Sequence, residues 1–284
     1  MSDFRSGFVA IVGRPNVGKS TLINALVGSK IAITSHHPNT TRSAIRGIVH
    51  GENFQAVLVD TPGVHKPKTL LGHRLNAVVD QSMDSVDVVI LCIPADETSG
   101  AGDIYIAQEI AKHPRAKKFA VITKTDLLSK EKLALRLSGI MELAQGFTWD
   151  EIIPVSAAIH DQIDLLNTLI GAALPAGPAY YPEGTTSDQA IEQLICEFIR
   201  EAALQDVREE LPHSIVVTID EFGEREEKGS RPFYDVHATI HVERDTQRAI
   251  LLGHQGTRLK EIGIRARADI ERALAAKIFL GLHL

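Results

Sequence analysis

Cysteine is scarce in this chain: Cys92 and Cys196 are its two residues, both in apolar surroundings and without metal-ligand spacing. That argues against a disulfide-built scaffold or a thiolate metal centre, and for reduced core thiols in a cytosolic protein. Long hydrophobic runs are lacking too, since none approaches the length of a bilayer span. The first strand-like run begins at Phe8, which leaves no room ahead of it for a signal or transit peptide. There is no internal repeat and no low-complexity tract. Nor is there an excess of positive charge. The formal net charge of −6 argues against a generally basic nucleic-acid binder, although its distribution says more than its sum. Residues 1–182 balance at 17 basic and 17 acidic side chains, whereas residues 183–284 carry 13 against 19. Within that acidic half, Arg258, Lys260, Arg265, Arg267, Arg272 and Lys277 face only Glu261, Asp269 and Glu271, so a local basic patch survives.

What is present is an ordinary globular composition, 44% hydrophobic and 23% charged, over 284 residues, a length that suggests two domains. The organising stretch is Gly13-Arg14-Pro15-Asn16-Val17-Gly18-Lys19-Ser20. It follows the apolar run Phe8–Val12 and precedes Thr21–Val27, which reads as a helix. It matches the phosphate-loop pattern G-x-x-x-x-G-K-[ST] in its required strand–loop–helix context. The glycines let successive backbone N–H groups turn toward one centre, where a helix N-terminus adds partial positive charge. Lys19 would reach the β- and γ-phosphates, and Ser20 would place its hydroxyl on Mg²⁺.

Further motifs extend the site. Asp60-Thr61-Pro62-Gly63 closes a strand, and an Asp there can hold the Mg²⁺ shell while a glycine N–H meets the γ-phosphate. Between the two motifs, Ser35–Arg42 reads as a loop long enough to close over the metal. Thr41 is the choice for its Mg²⁺ ligand and Thr40 the rival; either could be a solvated loop residue. Thr123-Lys124-Thr125-Asp126 follows another buried strand. Its carboxylate can accept from guanine N1–H and N2–H₂, a pair that adenine does not offer, and the Lys124 stem can lie along the purine face. Ser156-Ala157-Ala158 would bring a backbone N–H near guanine O6. The expected ligand is therefore GTP or GDP with Mg²⁺.

Strand-like runs at 8–12, 45–50, 55–60, 86–93, 118–123 and 151–155 alternate with helical segments such as 104–112 and 130–143. The alternation predicts an α/β fold, a mostly parallel sheet with helices on both faces and ligand at the strands' carboxyl ends. The expected domains are 1–175, a linker at 176–187 rich in Pro, Gly, Ser and Thr, and 188–284. The second domain reads as helix 188–204, strands 214–220 and 232–242 around a solvated acidic loop at 221–231, then helices 246–252 and 257–276 flanking Gly253-His254-Gln255-Gly256. An apolar run ends at Leu284.

Together these segments resemble the Era-type ribosome-assembly GTPases over essentially the whole chain. Gly13–Ser20, Thr40–Arg42, Asp60–Gly63 and Gly253–Glu271 carry the resemblance most specifically. It implies a Ras-like GTPase domain followed by a smaller α+β domain of the type II KH kind. It also implies the 3′ end of 16S ribosomal RNA and the small (30S) ribosomal subunit as partners, and a monomer in the cytoplasm, with peripheral contact to the inner face of the membrane as a further expectation. The runner-up is a GTPase that regulates a membrane-proximal or cell-cycle process through a protein partner.

Three departures matter. Relatives have Asn where Thr123 stands; without an amide for the base and the neighbouring loop, lower nucleotide affinity is expected. Val64 stands where many Ras relatives place a Gln to orient the attacking water. Turnover should then be slow and rely on Lys19, Mg²⁺ and backbone charge stabilisation. In similar GTPases the phosphate-loop Asn helps hold an activating K⁺, which would cast Asn16 in that role; a turn-forming Asn is the equal alternative. In the RNA-binding half, Gly253–Gly256 lets an RNA backbone approach closely, but His254 and Gln255 replace a usual Lys. His254 could supply charge at mildly acidic pH. Arg258 and Lys260 are the better phosphate contacts, or else part of a solvated helix face. Relatives continue past Leu284, so the tail that completes the RNA groove is expected to be missing or replaced.

Overall fold

The computed structural model describes residues 4–34, 45–60, 86–144, 146–205, 214–225 and 231–284. They form two units, residues 1–32 with 41–188, and residues 33–40 with 189–284.

The first unit is built on a six-stranded sheet in the order β2-β3-β1-β4-β5-β6. The strands are β1 (Arg5–Val12), β2 (Ile45–His50), β3 (Phe54–Asp60), β4 (Val88–Pro94), β5 (Lys117–Thr123) and β6 (Glu151–Pro154). All neighbours run parallel except β2, which pairs antiparallel with β3. The expected strand runs thus recur within a few residues.

β4 is apolar throughout, and β1 from Gly7 and β5 from Phe119 to Ile122 are apolar too, because both sheet faces are covered. On one face Val9, Ile11, Ile90, Phe119 and Val121 meet Leu22, Ile23 and Leu26 of α1 (Lys19–Val27) and Leu166 and Ile170 of α4 (Ile163–Ala173). On the other, Ala10, Val12, Leu91, Ala120 and Ile122 meet Ile106 and Ile110 of α2 (Ala101–Ala111) and Ile140 of α3 (Lys130–Met141). Chain order reverses around β1: β2 and β3 lie to one side, β4 to β6 to the other. The loop after β1 therefore opens at the topological switch point, where open α/β sheets bind ligands.

The stretch expected as a linker is held against the first unit. Gln55 accepts the N–H groups of Tyr180 and Tyr181 and donates to the Tyr181 carbonyl. Ile48 N–H donates to Thr186 C=O at 2.9 Å, and Arg46 pairs with Asp188 at 3.2 Å. The cause is an edge strand: β2 has β3 on one side only, and residues 185–188 take up part of its free ladder.

The second unit sets α5 (Ile191–Leu204), α6 (Asp245–Leu252) and α7 (Thr257–Leu274) with a three-stranded sheet, β7 (Val216–Glu224), β8 (Phe233–His241) and β9 (Lys277–His283). β7 and β8 are antiparallel and β8 and β9 parallel. Its core joins Ile195, Phe198 and Ile199 to Val236, Ala238, Ile240, Ile262 and Ile270. Ile33 belongs to this core, and Glu201 accepts both the N–H and the hydroxyl of Thr34 at 3.0 Å.

β7 runs four residues farther than the sequence suggests, into the expected acidic loop. Its register shifts between Ile219 and Glu221, and the ladder continues through Phe222 stacked on Tyr234 and Arg225 paired with Asp235. The aromatic and charged cross-strand pairs extend a strand that its acidity alone would disfavour.

Candidate functional site

The phosphate loop is set by close packing beneath it. A Cβ on Gly13 would stand 2.8 Å from the Cys92 carbonyl oxygen, so only glycine lets the loop leave β1 against β4. Gly18 holds φ 98° and opens α1 with no side-chain cap, which presents the helix N-terminus to the loop. Asn16 holds φ 63°, a left-handed conformation that asparagine tolerates, as its turn-forming reading requires.

Lys19 is buried, and its ammonium donates to the carbonyls of Gly13 at 3.1 Å and Arg14 at 2.9 Å. Burial draws its pKa below the usual lysine range, against the pull of Asp60 and Cys92. The same burial pushes the Cys92 thiol up to about 12, so this cysteine is an inert neighbour.

Asp60 ends β3 fully buried, opposite Ile11 in the register with β1. Its Oδ2 accepts the Ser20 hydroxyl at 3.0 Å. A hydroxyl and a carboxylate this close, beside an uncapped helix N-terminus, form an oxygen donor set suited to a hard divalent cation such as Mg²⁺. Thr40, Thr41, Thr61, Pro62, Gly63 and Val64 lie outside the described residues.

The segments expected to read the base converge. Gly18, Thr21, Thr123, Lys124, Asp126, Val155, Ala157 and Ala158 line one cavity. Ser156, buried, donates from its hydroxyl to Asp126 Oδ1 at 2.5 Å and so orients the carboxylate from the neighbouring loop. That role for the serine had no sequence signal, because residues 126 and 156 meet only when β5 and β6 pair. Lys124 takes φ 58°, and its ammonium lies 3.8 Å from Asp96.

Thr123 modifies the sequence expectation. Its hydroxyl donates to the Val17 carbonyl at 2.5 Å, so the tie to the phosphate loop that a missing amide was expected to cost is made by an alcohol. The amide-to-base contact has no such replacement. Arg14 also differs from a simple phosphate ligand: its guanidinium binds Asp103 at 2.9 Å and Glu97 at 3.0 Å.

In the second unit Gly253 holds φ 68° and Gly256 φ 79°, with Gln255 at φ 51° between them. A Cβ on Gly253 would stand 2.8 Å from that of Arg258, so this glycine is needed for space as well as conformation. Beside the turn a groove of about 430 Å³ runs between α7 and β9. Lys260 and Arg267 stand on its wall, and Ile264 and Phe279, both well exposed, give it apolar surface. Of the residues expected to contact RNA, Gly256 and Lys260 line it. Arg258 instead donates to the Gln205 carbonyl at 3.0 Å, at the end of α5. Arg267 belongs to the basic patch noted in the sequence, whereas Gly263, Ile264 and Phe279 were not singled out from it. Their signal was a glycine amid helix formers and two large apolar residues on otherwise polar faces. A groove with apolar surface and two cations suits stacked single-stranded bases with their phosphates outside.

Comparison with known proteins identifies both domains. Residues 8–124 match the family model of the 50S ribosome-binding GTPases, and residues 210–283 match that of the KH domain. The GTPase Era of Mycolicibacterium paratuberculosis is 52% identical over 284 residues, all of this chain and 94% of that protein. The GTPase Era of Mycobacterium tuberculosis H37Rv is 53% identical over 285 residues, with the same shares covered. A crystal structure of Era with MgGDPNP and nucleotides 1506–1542 of 16S ribosomal RNA superposes with a TM-score of 0.88 at 35% identity, over 98% of this chain and 92% of that one. An Aquifex aeolicus Era variant bound to GDP and AlF4⁻ gives 0.88 at 34% identity, over 99% and 93%.

Proposed function

The chain belongs to the Era family of GTPases, and we propose that it is a switch coupling its guanine-nucleotide state to binding of the 3′ end of 16S ribosomal RNA in small-subunit assembly. The observation that carries this is the pairing, in one chain, of a guanine-nucleotide site with a Gly253–Gly256 turn beside an apolar groove flanked by Lys260 and Arg267. The Era structure bound to MgGDPNP and 16S ribosomal RNA supports the same ligands here.

In this reading the backbone N–H groups of residues 16–20 bind the β- and γ-phosphates, Lys19 turns its ammonium from the loop carbonyls to the phosphate oxygens, and Asp126 reads guanine. Ser20 and Asp60, with Thr41, would hold Mg²⁺, which neutralises charge on the β- and γ-oxygens. The loop dipoles and Lys19 favour the transition state because their orientation is fixed in advance. Asn16 would hold an activating K⁺. If so, exchanging K⁺ for Na⁺ slows GTP turnover by about tenfold; an unchanged rate dismisses the cation and leaves Asn16 as a turn residue.

Coupling has a covalent basis. The chain enters the core of the second unit at Ile33 and Thr34, immediately before Ser35–Arg42, the segment expected to respond to the γ-phosphate. The boundaries proposed are a GTPase domain at 1–175, a connection at 176–187 and a KH domain at 188–284. We place the protein in the cytoplasm as a monomer; no helix among the described residues is long and apolar enough to cross a membrane. Peripheral contact with the inner face of the membrane is part of the same proposal; the runner-up is a GTPase regulating a membrane-proximal or cell-cycle process through a protein partner.

Co-sedimentation with small ribosomal subunits tests the switch. The wild-type chain should pellet more fully with a non-hydrolysable GTP analogue than with GDP, and Lys19→Ala should pellet equally poorly with both. Full association of Lys19→Ala in every nucleotide state would make the chain an RNA-binding module whose nucleotide site only stabilises the fold.

A further inference from the structure

The phosphate loop is gripped from outside the nucleotide site. Arg14, its second residue, sends its side chain across the N-terminal turn of α2. The guanidinium Nε donates to Asp103 Oδ1 at 2.9 Å and an Nη to Glu97 Oε2 at 3.0 Å. Asp103 is fully buried, whereas Glu97 is half exposed. The second oxygen of Asp103 accepts the Gly100 N–H at 2.9 Å, so the carboxylate is fixed to the start of α2. Gly102 leaves room for the arginine stem: a Cβ there would stand 2.8 Å from Arg14 Cδ. The backbone of the same arginine carries the carbonyl that holds Lys19.

We propose that Asp103, with Gly102 beside it, is a positioning residue for the nucleotide site, clamping Arg14 so that the phosphate loop keeps the geometry its backbone N–H groups and Lys19 need. A loop that binds through backbone dipoles depends on their orientation, and a small displacement costs much of the binding. The clamp is an anchor of the right kind. An arginine that gives one N–H to each of two carboxylates is fixed in direction as well as distance, and buried Asp103 left without its partner would be costly, so the pair does not part readily. Although burial alone would lower it, the arginine's pKa is raised by Asp103 and Glu97. Arg136 also lies in the field of Asp103, and it donates to the Pro94 carbonyl at 3.4 Å.

The inference rests on residues 13–20 being the phosphate site, and Lys19→Ala tests that premise separately: if this variant binds GDP as wild type does, the premise fails. The clamp is tested with Asp103→Asn, Gly102→Ala, Arg14→Ala and the Arg14→Ala, Asp103→Asn double variant. Calorimetric titration with GDP and ADP, and melting without nucleotide, supply the readouts. The amide introduced by Asp103→Asn can still accept the Gly100 N–H while the charge is lost. Gly102→Ala alters no charged group, adds helix propensity, and pushes the arginine stem aside. Each single variant should weaken GDP about tenfold with the GDP-to-ADP ratio kept, and the double variant should match Arg14→Ala within about twofold, because both changes break one contact. GDP affinity within about twofold of wild type for both Asp103→Asn and Gly102→Ala would overturn the proposal, whatever the melting temperature does. So would loss confined to Arg14→Ala, which would make the arginine a direct phosphate ligand. If Asp103→Asn does not fold, Gly102→Ala decides alone.

Discussion

Replacing Asp126 with Ala lowers GDP affinity by about a thousandfold and leaves GDP and ADP bound nearly alike. The carboxylate offers guanine two charge-assisted hydrogen bonds, each worth about 1.5–3 kcal/mol, so their joint loss corresponds to roughly 3–6 kcal/mol, or two to four decades of affinity. ADP gains no such bonds in the wild-type chain and would leave the carboxylate unpaired, so its affinity should change little or rise slightly. The Ser156 hydroxyl donates to Asp126, so on the proposed role of this carboxylate Ser156→Ala should give a smaller loss of the same kind. Calorimetric titration of both nucleotides checks the result. An unchanged GDP-to-ADP ratio would remove Asp126 from base recognition.

The second large effect concerns RNA. Gly253→Asp together with Gly256→Asp should weaken binding of a single-stranded 16S 3′-end RNA by about a hundredfold, while GDP affinity stays at the wild-type value. The two substitutions place side chains on backbone at φ 68° and 79° and add two negative charges where the phosphates should pass. Fluorescence anisotropy at fixed salt measures the loss, and circular dichroism of the variant shows whether the second unit is still folded. RNA affinity within about threefold of wild type, with the fold intact, would take the turn and its groove out of the binding site.

Much of the first unit was legible in the sequence because its strands are unusually plain. β1, β4 and β5 are buried on both faces and read as apolar runs, and β1 and β5 end at motifs whose chemistry needs that position. β2 matched residue for residue, from Ile45 to His50. What the sequence did not disclose was contact between distant segments. The hydroxyl of Thr123 reaches a carbonyl 106 residues away, a pairing that depends on where β5 places the loop. The hold of residues 180–188 on Gln55 and β2 was hidden because Pro, Gly, Ser and Thr signal a connection whether or not its backbone is paired. Ile33 carried no signal in the sequence, and only the packing assigns it to the second unit. The RNA groove was half legible: Gly253–Gly256 has a pattern, whereas the juxtaposition of Ile264 on α7 with Phe279 on β9 has none.

The account as a whole turns on one comparison. A labelled RNA carrying the 3′ end of 16S ribosomal RNA is titrated with the intact chain in Mg²⁺, once loaded with GDP and once with a non-hydrolysable GTP analogue. The switch predicts affinity at least about tenfold higher with the analogue, a coupling of about 1.4 kcal/mol, within the usual range for linked sites. Equal dissociation constants in the two states, measured with both nucleotides bound at saturation, would contradict it.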